Sequence, residues 1–167
     1  MKNTHMSQWI PPGWIQKSAG TWTPTLSTDL VSDVKTANTT AFNLFIPILA
    51  PSNSQYRVGA KLKSIDVYYR VATADCDGFA TVALKKMTLP ATGTIVSGAD
   101  VTVTVDTGHD TAAERLAQDH HTMTVTVTTP AWIDNDEYYV LYCAVDPGTS
   151  TVFTLYGARA NYDLQLN

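Results

Sequence analysis

At 167 residues, with 44% hydrophobic and 16% charged side chains, the chain has the length of one domain able to bury a sizeable core. A net charge of −4 and a pI near 5.4 leave no cationic field for nucleic-acid phosphates, and no apolar run reaches the ~18 residues of a membrane span. The charge missing against the usual ~25% is replaced by threonine, 25 residues of it, β-branched and suited to the solvated face of a sheet.

Residues 1–28 differ from the rest. The start, Met1 to Met6, lacks the apolar core of a signal peptide, so an ordinary secretory route is not expected. Trp9, Ile10, Pro11, Pro12, Gly13, Trp14, Ile15 and Trp22 then place three of the four tryptophans in a Pro/Gly-punctuated stretch. Such a stretch reads as neither a regular helix nor a central strand, and its aromatics set it apart from disordered sequence. Two readings follow: a strap over its own domain, or an arm docking on a neighbour. Proline-stiffened segments with bulky anchors lose little entropy on docking. The attachment candidates are accordingly Trp9, Ile10, Pro11, Pro12, Trp14, Ile15 and Trp22, and the segment is expected to serve attachment more than stability.

Residues 29–167 read as a single β-sandwich domain. Leu30 to Lys35 suggests a short helix or loop. Phe42 to Leu49 is an apolar strand interrupted by Pro47, which places it at an edge or bulge. Lys61 to Thr73 alternates through Ile65, Val67, Tyr69 and Val71, and Phe79 to Leu89 follows the hairpin signal Asp77-Gly78. Val101 to Asp106 alternates Val with Thr. His109 to His120 is the one helical stretch after residue 40, with Asp110 or Thr111 as its cap and with Glu114 and Arg115 expected on its solvent side. Thr122–Thr129, with Met123, Val125 and Val127 on one face, Glu137–Asp146 and Val152–Leu166 complete seven strands. Thr21-Trp22-Thr23, cut short by Pro24, supplies an eighth. The fold class is therefore all-β: an antiparallel, jelly-roll-like sandwich of about eight strands with one short inserted helix. The Cys…Trp…Cys set of an immunoglobulin domain is absent.

Sites of chemistry are few. His109, His120 and His121 flank the helix beside Asp106, Asp110 and Asp119, but a helix of that length holds its ends about 17 Å apart at ~1.5 Å per residue. His120 and His121, as neighbours on a strand, point to opposite faces. No single tetrahedral metal site is expected, and no cofactor. The acidic turns Asp75-Cys76-Asp77-Gly78 and Asp134-Asn135-Asp136-Glu137 lack the alternating ligands of a calcium loop. There is no Gly-x-Ser-x-Gly elbow and no phosphate cradle, so no catalytic residues are assigned. Two cysteines make no disulfide framework; Cys143 reads as a small buried hydrophobe and Cys76 as a loop residue. The dense tyrosines carry more interest. In strands, adjacent pairs such as Tyr68-Tyr69 and Tyr138-Tyr139 must split between faces. Tyr68, Tyr138 and Tyr142 are the candidates for glycan stacking or for contact with another subunit.

Three stretches together resemble β-rich virion proteins of tailed bacteriophages: Gly59 to Val71, Asp119 to Leu141, and Leu155 to Leu166. The resemblance implies a non-enzymatic jelly roll of the virion surface, either a capsid decoration, a head or tail fibre component, or a fibre head that binds the host surface. It implies a homotrimer whose other partners are capsid or tail proteins and candidate cell-surface glycan, assembled in the host cytoplasm. Nucleic acid binding and membrane insertion are not expected. The alternatives from other classes are a carbohydrate-binding module using exposed Tyr and Trp, and a small jelly-roll enzyme.

Overall fold

Along most strands the inward positions are filled by aliphatic and aromatic side chains, so two sheets close face to face on one apolar layer. The computed structural model describes residues 2–28, 30–49, 57–89 and 97–166. Among these the strands are β1 (Lys2–Ile10), β2 (Gln16–Lys17), β3 (Trp22–Leu26), β4 (Val31–Lys35), β5 (Phe42–Ile48), β6 (Arg57–Ala72), β7 (Gly78–Thr88), β8 (Ser97–Val101), β9 (Val103–Val105), β10 (His120–Val127), β11 (Glu137–Asp146) and β12 (Val152–Leu166). One helix, α1 (Ala112–Leu116), precedes β10, and a 3-10 turn spans Pro12–Trp14.

The first sheet runs β3-β4-β12-β6-β10-β9, with β1 also on β12; the second runs β2-β5-β11-β7-β8. All pairings are antiparallel. Eight strands, β4 to β8 and β10 to β12, carry the topology. The first pairs with the last (β4·β12), the second with the seventh (β5·β11), the third with the sixth (β6·β10) and the fourth with the fifth (β7·β8). A long hairpin rolled up in that way is a jelly roll, as the alternation in the sequence led us to expect. Between the sheets lie Leu44, Ile46, Ile65, Val67, Tyr69, Met123, Val125, Leu141, Cys143, Phe153 and Leu155, all essentially inaccessible. Pro47 lies past the two residues of β5 that β2 covers, at an open edge where its missing N–H costs nothing.

Four expectations change. Leu30 to Lys35 is neither helix nor loop: β4 is a strand held between β3 and β12. Its buried positions are Ser32, Asp33 and Lys35, so the apolar alternation that marks a strand is missing. Lys35 Nζ donates to Asn38 Oδ1 at 2.7 Å and lies over the Phe42 ring, and burial pushes its pKa down. The run Val101 to Asp106 is not one strand. It breaks at Thr102 and passes from the second sheet (β8) to the first (β9), keeping Val101, Val103 and Val105 partly buried against the core. The helix shrinks to five residues, fixed by a capping box in which the Thr111 hydroxyl accepts from Glu114 N–H and the Glu114 carboxylate accepts from Thr111 N–H. Arg115, expected in solvent, is 6% exposed. Its guanidinium donates to the carbonyls of Phe79 at 3.0 Å, His109 at 2.7 Å and Asp110 at 3.1 Å.

The N-terminal segment is also more regular than its punctuation suggested. β1 pairs with β12 in continuous register from Lys2↔Leu166 to Ile10↔Ala158. The chain then turns through Pro11–Trp14 under the end of the first sheet and crosses to β5 as β2. Gly157, at φ +126°, permits this crossing, since a Cβ there would stand 2.6 Å from the Ile10 carbonyl oxygen.

Candidate functional site

β11 splits its tyrosines as adjacent residues of a strand must. Tyr139, Leu141, Cys143 and Val145 point into the core; Tyr138, Val140, Tyr142 and Ala144 point out from the second sheet. Register then decides their company. Tyr142 stands between Phe45 and Ala83, Val140 between Pro47 and Lys85, and Tyr138 beside Met87. The outcome is an apolar outer face. A shallow hollow of about 370 Å³ is lined by Phe45, Lys85, Met87, Tyr138, Val140 and Tyr142, and another of about 270 Å³ adjoins it over Gln16 and Pro47. The Phe45 and Tyr142 rings lie 5.4 Å apart, and the Tyr142 hydroxyl, within 3.0 Å of Asn43 Oδ1, donates to it. The charged residue of the hollow is Lys85, which pairs with Asp100, whereas Lys86, opposite the inward Tyr139, pairs with Glu137 at 2.5 Å on the other side of the sheet. The Lys86 bond, opposed by burial, holds the Glu137 carboxyl below its ordinary range.

Tyr68 does not belong to this face. It projects from the first sheet, where its ring lies 5.3 Å from that of Trp9 and the Arg159 guanidinium sits 6.0 Å over it. Beside this pair is a closed polar network centred on the buried Asp66. Its carboxylate accepts from Thr124 Oγ1 at 2.9 Å, from Arg159 Nη2 at 2.8 Å and from Asn161 Nδ2 at 3.1 Å. The two sheets therefore present unlike surfaces, one apolar and one polar with an aromatic pair.

The attachment candidates divide as well. Ile10 and Ile15, each 2% exposed, and the buried Pro12 are taken up by the chain's own core and are not available to a neighbour. Their burial follows from the pairing of β1 with β12 and the turn after it, which the sequence could not indicate. Trp22 seals the same core edge-on against Phe42, centroids 4.9 Å apart, and its indole N–H donates to the Ala19 carbonyl. Pro11 is half-buried. Trp9 at 51% and Trp14 at 57% exposure keep free surface. Lys17, in β2, forms an ion pair with Asp33 of β4 and donates to the Pro12 carbonyl, fastening the strap to the body.

The histidine spacing argument is overturned in its premise. Because α1 is short and the chain doubles back, His109 and His121 meet, His109 Nε2 lying 3.1 Å from His121 Nδ1. No local signal in the sequence announces this contact. Among the described residues, no group of three or more His, Cys, Asp or Glu side chains is placed to hold a metal ion. His120 stacks on Tyr156, and His5 pairs with Asp163. Cys76 and Cys143 are free and buried, and burial pushes both thiols up to about 12. No helix among the described residues is long and apolar enough to cross a membrane. Compared with known proteins, the chain matches no family model and no curated sequence.

Proposed function

We propose that this protein is a non-enzymatic structural component of a virion surface, assembling with copies of itself, as a trimer, through the outer face of its five-stranded sheet. The observation that carries the reading is the row Phe45, Met87, Tyr138, Val140, Tyr142. Aromatic, aliphatic and Met side chains gathered on one face, with the Lys85 among them neutralised by its pairing with Asp100, match the enrichment of interface centres in aromatic and Met side chains. The jelly roll supplies the rigid support, and Trp9 and Trp14 retain surface for a capsid or tail partner. Static light scattering at micromolar concentration tests it. The expected mass is about three times the 18.2 kDa chain, and Val140→Lys, which changes only an outward position, is expected to give single chains with an unaltered circular dichroism spectrum. A monomeric wild-type protein would overturn the proposal.

A second reading, recognition of a cell-surface glycan, is favoured by the other sheet. There Trp9 and Tyr68 offer an aromatic platform beside the hydrogen-bonding groups of Arg159 and Asn161. Calorimetric titration with neutral oligosaccharides, expected to give heat that Trp9→Ala abolishes, decides it; no heat with the wild-type protein rejects it.

A further inference from the structure

One chain of hydrogen bonds crosses the loop that carries α1. Asp106 Oδ1 accepts from the Thr124 N–H at 2.7 Å, and Asp106 Oδ2 lies 2.7 Å from His109 Nδ1. His109 Nε2 lies 3.1 Å from His121 Nδ1, and His121 Nε2 lies 2.9 Å from the Ala117 carbonyl oxygen. The two ends of this chain are a carboxylate and a carbonyl, which only accept, so His109 Nδ1 and His121 Nε2 must each carry a proton. A neutral imidazole has one N–H. With both spent on the outer partners, the facing nitrogens would be two bare lone pairs 3.1 Å apart. One additional proton turns that contact into an N–H···N hydrogen bond. The ring centroids are 5.2 Å apart, so the facing nitrogens lie close to the line between the rings, where a shared proton belongs.

We infer that His109 and His121 hold a single proton between them, and that this proton latches the 106–121 loop onto the sandwich. With none, the lone pairs repel; with two, the facing N–H groups do. Charge balances in the latched form, one positive histidine pair against the Asp106 carboxylate. The other charged or titratable groups around the pair are Asp110, Glu114, Arg115 and Asp119 from the loop, His120 at the start of β10 and Tyr69 from β6. The Tyr69 ring stacks on His121 at 4.5 Å and 11°, and its hydroxyl donates to the Arg115 carbonyl. What the latch holds is specific. Cys76 N–H bonds to the Leu116 carbonyl, Gln118 N–H to Asp75 Oδ1 and Val71 N–H to the Asp119 carbonyl, so the loop closes one end of the jelly roll.

The acid limb has a definite sign. Burial is the largest cause holding His121 below its ordinary pKa, so a second proton is resisted, and forcing it on costs stability as pH falls below the unfolded value of ~6.5. Burial pushes Asp106 upward, but the bonds from His109 and Thr124 outweigh it and hold the carboxyl low. Its contribution is present above the unfolded pKa and is lost as pH falls through the folded one. The alkaline limb is the departure of the shared proton. Two strongly interacting sites titrate as a pair.

Imidazole nitrogen NMR of ¹⁵N-histidine-labelled wild-type protein, with amide hydrogen exchange of Val71, Cys76 and Gln118, tests the latch. Expected are two macroscopic steps, each felt by both rings. Between the steps His121 carries its proton on Nε2, and protection of these amides peaks, falling roughly tenfold on each side after correction for intrinsic exchange, the signature of ~1.4 kcal/mol in local opening. In His121→Gln the alkaline limb is expected to vanish. Independent single steps for the two rings, protection flat with pH, or an unchanged profile in His121→Gln each overturns the inference. The outcome does not depend on the oligomeric state proposed above.

Discussion

Replacing Ile10 or Ile15 by alanine separates a strap that is part of the fold from an arm that only rests on it. Both side chains are 2% exposed and belong to the same apolar cluster as Phe42 and Ala158. Truncating a fully buried isoleucine to alanine costs about 2–5 kcal/mol, from lost transfer free energy and from the cavity left behind. In a chain of this size each kcal/mol moves the melting temperature by roughly 2–4 °C, so each substitution is expected to lower it by about 4–20 °C. The double variant would lose about 4–10 kcal/mol, a large share of the ~5–15 kcal/mol that a domain possesses. Trp9→Ala and Trp14→Ala, at half-exposed positions, are expected to cost no more than about 1 kcal/mol. The assay is thermal unfolding by circular dichroism at one fixed protein concentration, since association raises the apparent stability. If Ile10→Ala and Ile15→Ala each move the transition by less than ~2 °C, the strap is not packed as described, and residues 1–28 are an arm. Truncation before Thr28 then becomes harmless, as the sequence alone suggested; on the packing seen here it instead uncovers Ala158–Leu166 of β12 and strips Ile10, Pro12 and Ile15 from the core.

Lys17 and Asp33 lie with side chains 12% and 11% exposed, so Lys17→Met alone leaves a nearly buried carboxylate without its cation. A loss of about 3 kcal/mol in urea unfolding is expected, with most of it recovered in Lys17→Met/Asp33→Leu; equal losses in the single and double variants would show that the pair itself, not the stranded charge, matters. Both cysteines are buried with thiols pushed up to about 12, so a maleimide at pH 8 is expected to label the native chain negligibly and to label two sites after unfolding. Mass spectrometry reads the count, and rapid labelling of native Cys76 would show that the 106–121 loop does not close over it.

Alternation determined most of the fold. Beside the apolar runs of β5 and β11 and the Asp77-Gly78 turn that announced β7, alternation marked β6 and β10, because one side of a sandwich strand faces oil and the other water, and the side-chain period of a strand is two. The same rule placed one tyrosine of each adjacent pair outside, which is how Tyr68 and Tyr138 were legible as surface candidates beside Tyr142. It could not say that Tyr68 belongs to one sheet and the other two to the opposite one, nor that Phe45 and Met87 complete their face, because register between distant strands sets those neighbours. β4 escaped because its inward residues, Asp33 and Lys35, are charged and become tolerable only once Lys17 and Asn38 arrive from elsewhere. Ile10 and Ile15 were read as sticky when they are core, since a hydrophobic side chain looks the same from the sequence whether it packs on its own chain or on another. The meeting of His109 with His121 is the plainest case. Local spacing put them at opposite ends of a helix; Arg115, reaching back to carbonyls of β7 and of the loop, bends the segment so that they touch, and that bend exists only once the sandwich has formed.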